Sequence, residues 1–258
     1  MSYETIRYDV TQDIATITLN RPDVMNGLNS QMRKEITAAV HHAPTEARVL
    51  ILTGSGRGFC SGQDLGDAKK IAEVDLGRTL RDEYEPMLKA IYNSPIPTIA
   101  AVNGAAAGAG ANLALAADVV IATKSAYFIQ AFARIGLIPD AGGTYWLPRQ
   151  VGFARAMGAA LFTDRISAEQ AADWGMIWEC VEDHDFADHV LDRALHLAKG
   201  PTKSYALIKQ ALRHGMDNTL DQQLALEAVL QGQAGNTHDF VEGVTAFLEK
   251  RSPEYKGE

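Results

Sequence analysis

Short apolar runs that alternate with segments of helical spacing constrain the fold of this chain more than any other feature. RVLILT (48–53) and PTIAAVN (97–103) are typical of strands covered on both faces, and DVVIA (118–122) predicts a third strand. Residues 3–10 and 13–20 alternate in polarity and predict two more strands joined by a polar turn. Strands separated by helices pair in parallel through right-handed crossovers. The sequence therefore predicts an α/β fold.

In the first half of the chain, helical patterns cover residues 30–43, 70–92 and 108–117. Helical spacing dominates the second half, where it covers residues 168–174, 185–199, 202–213, 219–230 and 238–250. A boundary at Gly200-Pro201 predicts a core domain at residues 1–200 and a helical C-terminal region at residues 201–258. The C-terminal region has many apolar faces for its size, so we expect it to pack against another subunit.

The composition excludes several classes of partner. The 258 residues carry 24 basic and 32 acidic side chains, a net charge of −8, and no basic run is available to neutralise phosphates on nucleic acid or an anionic membrane. The N-terminus lacks an apolar signal-peptide core, and Cys60 and Cys180 lack CxxC spacing, so we expect a cytoplasmic protein with free thiols. Residues 93–117 are uncharged but contain prolines and asparagines, which favours buried core over a membrane span.

A glycine-rich loop at residues 54–66 follows the first buried strand. Its five glycines permit left-handed backbone and close ligand approach, so successive N–H groups could point at one anion. The loop lacks the GK[ST] of a phosphate-binding Walker loop and the GxGxxG of a dinucleotide site. An ordinary glycine-rich turn is the alternative interpretation.

A second loop of small residues, NGAAAGAGAN (103–112), follows the next buried strand and enters a helix. Unpaired N–H donors at a helix start could stabilise an oxyanion, although tight packing of the helix against the sheet explains the same composition. The two loops together are more informative than either alone, because each could supply one N–H to a single oxygen.

Asp140 lies in an apolar frame, GLIPDAGGT (136–144), just before a helix predicted to start at Ala141. It is either the N-cap of that helix or a carboxylate in an apolar pocket, where a raised pKa would suit a base. The aromatic residues are either core or the lining of an acyl pocket: Tyr84, Phe128, Phe132, Tyr145 and Trp146. Cys60 is predicted to be a buried structural thiol. The absence of HExxH and of a histidine cluster in the sequence predicts that no metal is bound.

Four sequence blocks in order resemble the enoyl-CoA hydratase/isomerase, or crotonase, superfamily. They are NRP (20–22), LTGSGRGFCSGQDL (52–65), PTIAAVNGAAAGAGANLALAADVVIAT (97–123) and GLIPDAGGTYWLPRQVG (136–152). The similarity runs from about residue 6 to residue 253. GRGFCSGQDL, DWGMIWE (173–179) and EGVTAFLEKRSP (242–253) are most similar to the group that isomerises ring-1,2-epoxyphenylacetyl-CoA to oxepin-CoA.

The resemblance implies a crotonase-like ββα spiral core with a C-terminal helical region that builds homotrimers, or hexamers as dimers of trimers. It implies an acyl-CoA thioester substrate, whose coenzyme A is part of the substrate, and no separate cofactor. The backbone N–H groups of Gln63 and Ala109 would form an oxyanion hole for the thioester carbonyl. The residues implied to bind coenzyme A or the acyl group are Ser61, Gln63, Asp64, Leu65, Gly66, Gly108, Ala109, Asn112 and Phe132.

The chain departs from the hydratase pattern of this superfamily at two positions. Hydratases use two glutamates, and Asn112 and Phe132 stand at those positions. Asp140 matches an aspartate that isomerase members use, so the resemblance predicts an acyl-CoA isomerase with Asp140 as its acid–base group. Two alternatives stay open: a hydratase with an atypical site, and a non-catalytic acyl-CoA-binding scaffold subunit.

Overall fold

The computed structural model describes residues 3–67 and 75–258. Its strands, in chain order, are β1 Ile6–Thr11, β2 Ile14–Leu19, β3 Val49–Gly54, β4 Gly58–Cys60, β5 Thr98–Val102, β6 Ala105–Ala107, β7 Val119–Thr123, β8 Tyr127–Ile129, β9 Ile166–Ser167 and β10 Glu179–Val181.

Helices fill the connections and the C-terminal region. They are α1 Ser30–His42, α2 Leu76–Thr79, α3 Glu85–Tyr92, α4 Ala109–Leu115, α5 Gly143–Val151, α6 Phe153–Phe162, α7 Ala168–Asp173, α8 Phe186–Ala198, α9 Thr202–Gly215, α10 Leu220–Gly235 and α11 His238–Glu249. A π-helical turn at Leu80–Tyr84 joins α2 to α3. The helix predicted over residues 70–92 is therefore confirmed from Leu76 onward, and residues 70–74 lie outside the described part of the chain.

The main sheet has six strands in the order β1-β2-β3-β5-β7-β10. β1 and β2 form an antiparallel hairpin, and the remaining neighbours pair in parallel. All five predicted strands lie in this sheet, which confirms the α/β prediction. Their apolar side chains form the core against α1, α3 and α4 on one side and α8 on the other.

A second sheet, in the order β4-β6-β8-β9, was not predicted from the sequence. β4 and β6 run parallel and pair Gly58 with Ala105, and β6 pairs with β8. These strands are two or three residues long, too short to show a period of two in a glycine- and alanine-rich sequence. The small sheet matters for function because its first two strands lead into the ends of the two small-residue loops.

The C-terminal helices are anchored to the sheet through buried polar contacts. On α9, Lys209 and Arg213 both pair with Asp118, at 2.7 and 2.6 Å. Arg48, just before β3, donates hydrogen bonds to Thr202 Oγ1 and to the carbonyl of Tyr255. The division at residue 200 stays a prediction.

The turn after Asp140 differs from the sequence prediction. Helix α5 begins at Gly143 rather than at Ala141, and its N-cap is Gly142, so the interpretation of Asp140 as an N-cap is wrong. Ala141 and Gly142 both adopt positive φ, at 47° and 80°, which is incompatible with a helix. The uncharged stretch 93–117 folds as β5, β6 and α4. Within residues 3–67 and 75–258, we find no helix with the length and apolar character needed to cross a membrane.

Candidate active site

The two small-residue loops come into direct contact where β4 and β6 end. A Cβ on Gly62, whose φ is +91°, would lie 2.7 Å from the carbonyl oxygen of Ala107 and 3.2 Å from the amide nitrogen of Ala109. A Cβ on Gly110 would lie 2.3 Å from the carbonyl oxygen of Cys60. Only glycine permits this approach at both positions. The predicted close approach of the two loops is therefore a feature of the backbone.

The amide of Gln63 faces away from its neighbouring strand segment. Leu28 bonds to the flanking residues, with Leu28 N–H donating to Gly62 O at 2.8 Å and Asp64 N–H donating to Leu28 O at 3.2 Å. In such a parallel bridge the central amide points to the opposite side. The Ala109 N–H begins α4, where amides lack an intrahelical acceptor. An oxygen bound beside Gly62 could accept a hydrogen bond from each.

The side chain of Gln63 is fixed by a buried polar network. Its Oε1 accepts hydrogen bonds from Tyr84 Oη at 2.6 Å and from Arg33 Nη1 at 3.0 Å. Arg33 is 3% exposed, and its guanidinium pairs with Glu83 at 2.6 Å and lies over the Tyr84 ring at 4.7 Å. Burial raises the pKa of Tyr84, so the hydroxyl stays protonated and donates a hydrogen bond to Gln63.

The carboxylate of Asp140 lies in an apolar cavity of about 270 Å³ between the two loops and the π-helical turn. Six of the nine residues that the resemblance implies for binding line this cavity with it: Ser61, Gln63, Leu65, Gly108, Ala109 and Phe132. Burial raises the pKa of Asp140 to about 6. Its Oδ1 is buried and accepts no hydrogen bond from the residues that the structure describes. This carboxylate is therefore partly desolvated, and its buried oxygen is available to a bound group.

A second apolar cavity, of about 650 Å³, adjoins the first at Asp140 and Tyr84. Tyr84, Tyr145 and Trp146, three of the five aromatics considered from the sequence, line it together with Tyr92. Phe128 is fully buried in the core. Phe132 lies against Gly108, where a Cβ would be 3.7 Å from the ring. The two cavities together offer an acyl group an apolar, aromatic environment on both sides of the carboxylate.

Three predicted binding residues lie apart from the cavity lining. Asp64 pairs with Arg21 at 2.8 Å, and its Oδ1 accepts the Gly66 N–H at 3.0 Å, which closes the exposed end of the glycine loop. Asn112 is completely buried, and its side-chain nitrogen donates to the backbone carbonyl of Asp140 at 2.7 Å. Asn112 therefore contacts the loop that carries Asp140 and does not face the cavity.

Cys60 is buried beneath the site, and its thiol donates to the carbonyl of Asn26 at 3.1 Å. Burial raises the pKa of the Cys60 thiol to about 12, so it stays protonated at neutral pH and is unsuited to act as a nucleophile. Across the described ranges, the carboxylates, histidines and cysteines form no group of three that could hold a metal ion.

Arg33 was not a candidate from the sequence, and Tyr84 was considered only as an aromatic of the core or of the pocket lining, not as a hydrogen-bond donor to Gln63. Arg33 lies three residues before Ile36 and seven before Val40, on the side of α1 that packs in the core, and an arginine at such a position needs a buried acceptor. Glu83 and Tyr84 supply that acceptor and its stacking partner from a segment 50 residues further along the chain. The spacing of Arg33 on the helix could have indicated a buried arginine, but the sequence does not indicate which residues it pairs with.

Comparison with known proteins identifies close relatives over the whole length. A sequence profile described as enoyl-CoA hydratase/isomerase matches residues 9–258. A Rhodobacter capsulatus protein named probable enoyl-CoA hydratase is 63% identical over 257 residues and covers 100% of both chains. The 1,2-epoxyphenylacetyl-CoA isomerase of Escherichia coli K12 is 48% identical over 98% of this chain and 99% of its own. The crystal structure of an enoyl-CoA hydratase from Bacillus anthracis superposes with a TM-score of 0.91 at 32% identity, over 99% of this chain and 100% of that one.

Proposed function

Because the chain belongs to the enoyl-CoA hydratase/isomerase, or crotonase, family, we propose that it is an acyl-CoA isomerase in which Asp140 is the single acid–base group. The observation that carries this proposal is a single, partly buried carboxylate in an apolar cavity that Gln63 and Ala109 also line. Members of this family act on acyl-CoA thioesters, which supply a carbonyl oxygen for those amides.

The reaction proposed for a 3-enoyl-CoA needs only one base. Asp140 removes a proton from C2, and the electron pair moves onto the thioester oxygen to form an enolate. The N–H groups of Gln63 and Ala109 donate to that oxygen, and preorganised donors of this kind contribute about 3 kcal/mol each to such transition states. Asp140 then returns the proton to C4 as the double bond moves to C2–C3, so the atoms and charge balance without water.

Phe132 supports isomerisation over hydration. Hydration requires a bound water and a group to activate it, whereas the Phe132 ring occupies the cavity wall beside Gly108. The amide of Asn112 is committed to protein atoms on both of its ends. Among the described residues that line the smaller cavity, Asp140 is the only carboxylate, which suits a proton shuttle from carbon to carbon.

The acyl group that we propose is apolar and includes a ring-1,2-epoxide of phenylacetyl-CoA, a 3-enoyl chain or both. The larger cavity, with Tyr92, Tyr145 and Trp146 in its wall, can hold a ring or a medium chain. The relative that is 48% identical is named for the epoxide reaction. Its name supports the ring-epoxide, and the apolar lining is compatible with either acyl group.

Hydration is the second candidate function, because the relative with 63% identity is named probable enoyl-CoA hydratase. In that case Asp140 would activate a water for addition to a 2-enoyl-CoA. The two candidates differ in their substrate and in the direction of the absorbance change, so one assay separates them.

We also propose that the protein works as a trimer or as a dimer of trimers. Large apolar side chains are exposed on the C-terminal helices, among them Leu212, Leu220 and Phe247, which are 70%, 72% and 81% exposed in the single chain. Burial of such surface against other copies would be strongly favourable. Sedimentation should give a mass of about three or six chains of 27.9 kDa; a monomer would contradict the assembly.

The test uses purified wild-type protein and Asp140→Asn with 3-hexenoyl-CoA, crotonyl-CoA and the ring-epoxide of phenylacetyl-CoA. We expect conjugated-thioester absorbance to rise from 3-hexenoyl-CoA with the wild type only. A fall in crotonyl-CoA absorbance that Asp140→Asn abolishes would instead establish the hydratase. Turnover that Asp140→Asn leaves intact, or no turnover of any of the three substrates, would overturn the proposal and favour the acyl-CoA-binding scaffold.

A further inference from the structure

The backbone that carries Asp140 is held in an unfavourable conformation. Ala141 has a φ of 47° and Gly142 has a φ of 80°, so two successive residues occupy the left-handed region. For a residue with a Cβ this conformation costs about 1 kcal/mol. Such a turn persists only where its surroundings fix it.

The carbonyl of Asp140 is the fixed point of this turn. It accepts a hydrogen bond from the Gly143 N–H at 2.9 Å and a second from Asn112 Nδ2 at 2.7 Å. Both lone pairs of the carbonyl are thereby used. Because the carbonyl and the side chain leave the same residue, fixing the peptide plane also limits the directions open to the carboxylate.

The hydrogen bonds run in one direction through a buried chain. A carbonyl can only accept, so the end of Asn112 that faces Asp140 is the NH₂ group, and Oδ1 faces the other way. That oxygen accepts from Gln130 Nε2 at 2.8 Å. Asn112 and Gln130 are 0% and 1% exposed, so neither amide can turn to water.

The start of α5 is shaped around Asn112. A Cβ on Gly143 would lie 2.3 Å from Asn112 Nδ2 and 2.8 Å from Asn112 Cγ. Glycine at this position is therefore required for the Asn112 amide to reach the carbonyl of Asp140. The close fit of Gly143 around the Asn112 amide indicates that the sequence at the start of α5 accommodates this hydrogen bond.

We propose that Asn112 is a positioning residue that holds the Asp140 carboxylate at its place in the cavity, through the chain Gln130–Asn112–Asp140. Asn112 touches no substrate in this arrangement, since it lies outside the lining of both cavities. The inference rests on the proposed function for the role of Asp140. It gives the residue at a hydratase glutamate position a different task from the substrate contact that the resemblance implied.

The kinetic test compares wild type with Asn112→Leu and with the double variant Asn112→Leu/Gln130→Met. The double variant replaces both polar partners with apolar side chains of similar size, which keeps the cost in stability small. Misplacement of a catalytic group by about 1 Å costs about 100-fold in rate. We expect kcat for the 3-enoyl-CoA to fall about 10- to 100-fold while KM changes less than about 3-fold.

A matched control separates positioning from loss of stability. Thr123 is buried in β7, and its hydroxyl donates to Asp183 at 2.5 Å, away from both cavities. Thr123→Val should lower the melting temperature and leave kcat and its pH profile unchanged. A tenfold rise in KM at constant kcat in Asn112→Leu, or a kcat within about twofold of wild type in both variants, would overturn the proposal.

The pH profile reports the surroundings of the carboxylate directly. Tyr84 and Arg134 are the other titratable groups that line the smaller cavity, and all three variants leave them in place. Release of the turn should let water reach Asp140, so the acid limb of kcat/KM should move to lower pH in Asn112→Leu. An acid limb that stays at its wild-type position would contradict a positioning role.

A measurement without substrate keeps the inference testable if the proposed function fails. The free energy of unfolding is followed between about pH 4 and about pH 7 for four proteins: wild type, Asp140→Asn, the double variant, and the double variant with Asp140→Asn. The part of the pH slope that depends on Asp140 should shrink when Asn112 and Gln130 are replaced. An equal slope in both backgrounds would overturn the positioning role, whatever reaction the protein catalyses.

Discussion

The hydroxyl of Tyr84 donates a 2.6 Å hydrogen bond to Oε1 of Gln63, a residue of the glycine-rich loop that lines the smaller cavity. Arg33 donates to the same oxygen at 3.0 Å and is itself neutralised by Glu83. The side chain of Gln63 is therefore held from two directions by groups outside the glycine-rich loop. Glycine leaves the backbone of a loop conformationally permissive, and these two contacts restrict the conformation of the loop at Gln63.

Replacement of Tyr84 by phenylalanine removes one of these two contacts and keeps the packing of the ring. A hydrogen bond of this kind contributes about 1 kcal/mol, so we expect kcat/KM to fall about 3- to 10-fold and the melting temperature to fall by a few degrees. The measurement is steady-state isomerisation of 3-hexenoyl-CoA. Tyr127→Phe, in β8, should leave kcat/KM unchanged; equal losses in both variants would show that the Gln63 contact is not involved.

Most strands of the central sheet could be predicted from the sequence, whereas those of the second sheet could not. RVLILT and PTIAAVN are continuous apolar runs, which is the pattern expected of a strand buried on both faces. The strand at Ala105–Ala107 is three alanines between glycines, and its partners lie at Gly58–Cys60 and Tyr127–Ile129. Pairing over such distances along the chain is decided by tertiary packing, which local propensity does not encode.

The sequence predicts the features of the site that depend on small residues in the two loops. It does not predict those that depend on contacts between residues far apart in the chain. Two small-residue loops that each follow a buried strand suggested that both could reach one oxygen, and the backbone contacts at Gly62 and Gly110 show that the loops do meet. The left-handed Ala141 gives no signal in its residue type, because alanine rarely adopts a φ of +47°. The helix start was accordingly predicted two residues too early. The hydrogen bond from Asn112 to the carbonyl of Asp140 joins residues 28 positions apart and likewise could not be predicted from the sequence.

The rate of isomerisation should depend on pH through Asp140. The base must be ionised to remove a proton, and burial raises the pKa of Asp140 to about 6. We therefore expect kcat/KM to be constant above about pH 7 and to fall about tenfold per pH unit well below pH 6. An ordinary aspartate would sustain full activity to about pH 5. Activity that persists unchanged to about pH 5 would show that Asp140 is solvated or that it is not the base.

Stability should depend on the same carboxylate with a defined sign. Between the ordinary pKa of about 4 and the folded value of about 6, the folded protein holds a proton that the unfolded chain has released. The stability gained from this proton is full below about pH 4 and is lost as the pH rises through about 6. At neutral pH, Asp140→Asn should therefore unfold at a higher temperature than wild type.

The size of that difference is limited because Asp140 is only partly buried. After allowance for solvent screening we expect about 1 kcal/mol, or about 2–4 °C in melting temperature at pH 7.5, vanishing near pH 4. Asp192→Asn, on the exposed face of α8, should show no such pH-dependent gain. If Asp140→Asn is instead less stable than wild type at neutral pH, the carboxylate has a stabilising partner. Its burial would then not lower the stability of the folded protein.

Gly110 tests whether the approach of the two loops matters for chemistry. It lies in helix α4, where alanine would ordinarily be the better residue by about 1 kcal/mol, yet its Cβ would lie 2.3 Å from the carbonyl oxygen of Cys60. Gly110→Ala must push α4 away from the loop that carries Gln63. We expect a loss of stability of about 1–3 kcal/mol and a fall in kcat/KM of about 100-fold.

Gly232→Ala is the matched control, because Gly232 also lies within a helix and a Cβ there would meet no atom within 4 Å. It should gain up to about 1 kcal/mol in stability and keep full activity. The comparison is made by thermal unfolding and by steady-state kinetics on both variants. If Gly110→Ala loses stability but keeps kcat/KM, the two amides do not act on one oxygen. If it loses kcat/KM at temperatures where it is fully folded, the separation between the loops is itself part of the catalytic geometry.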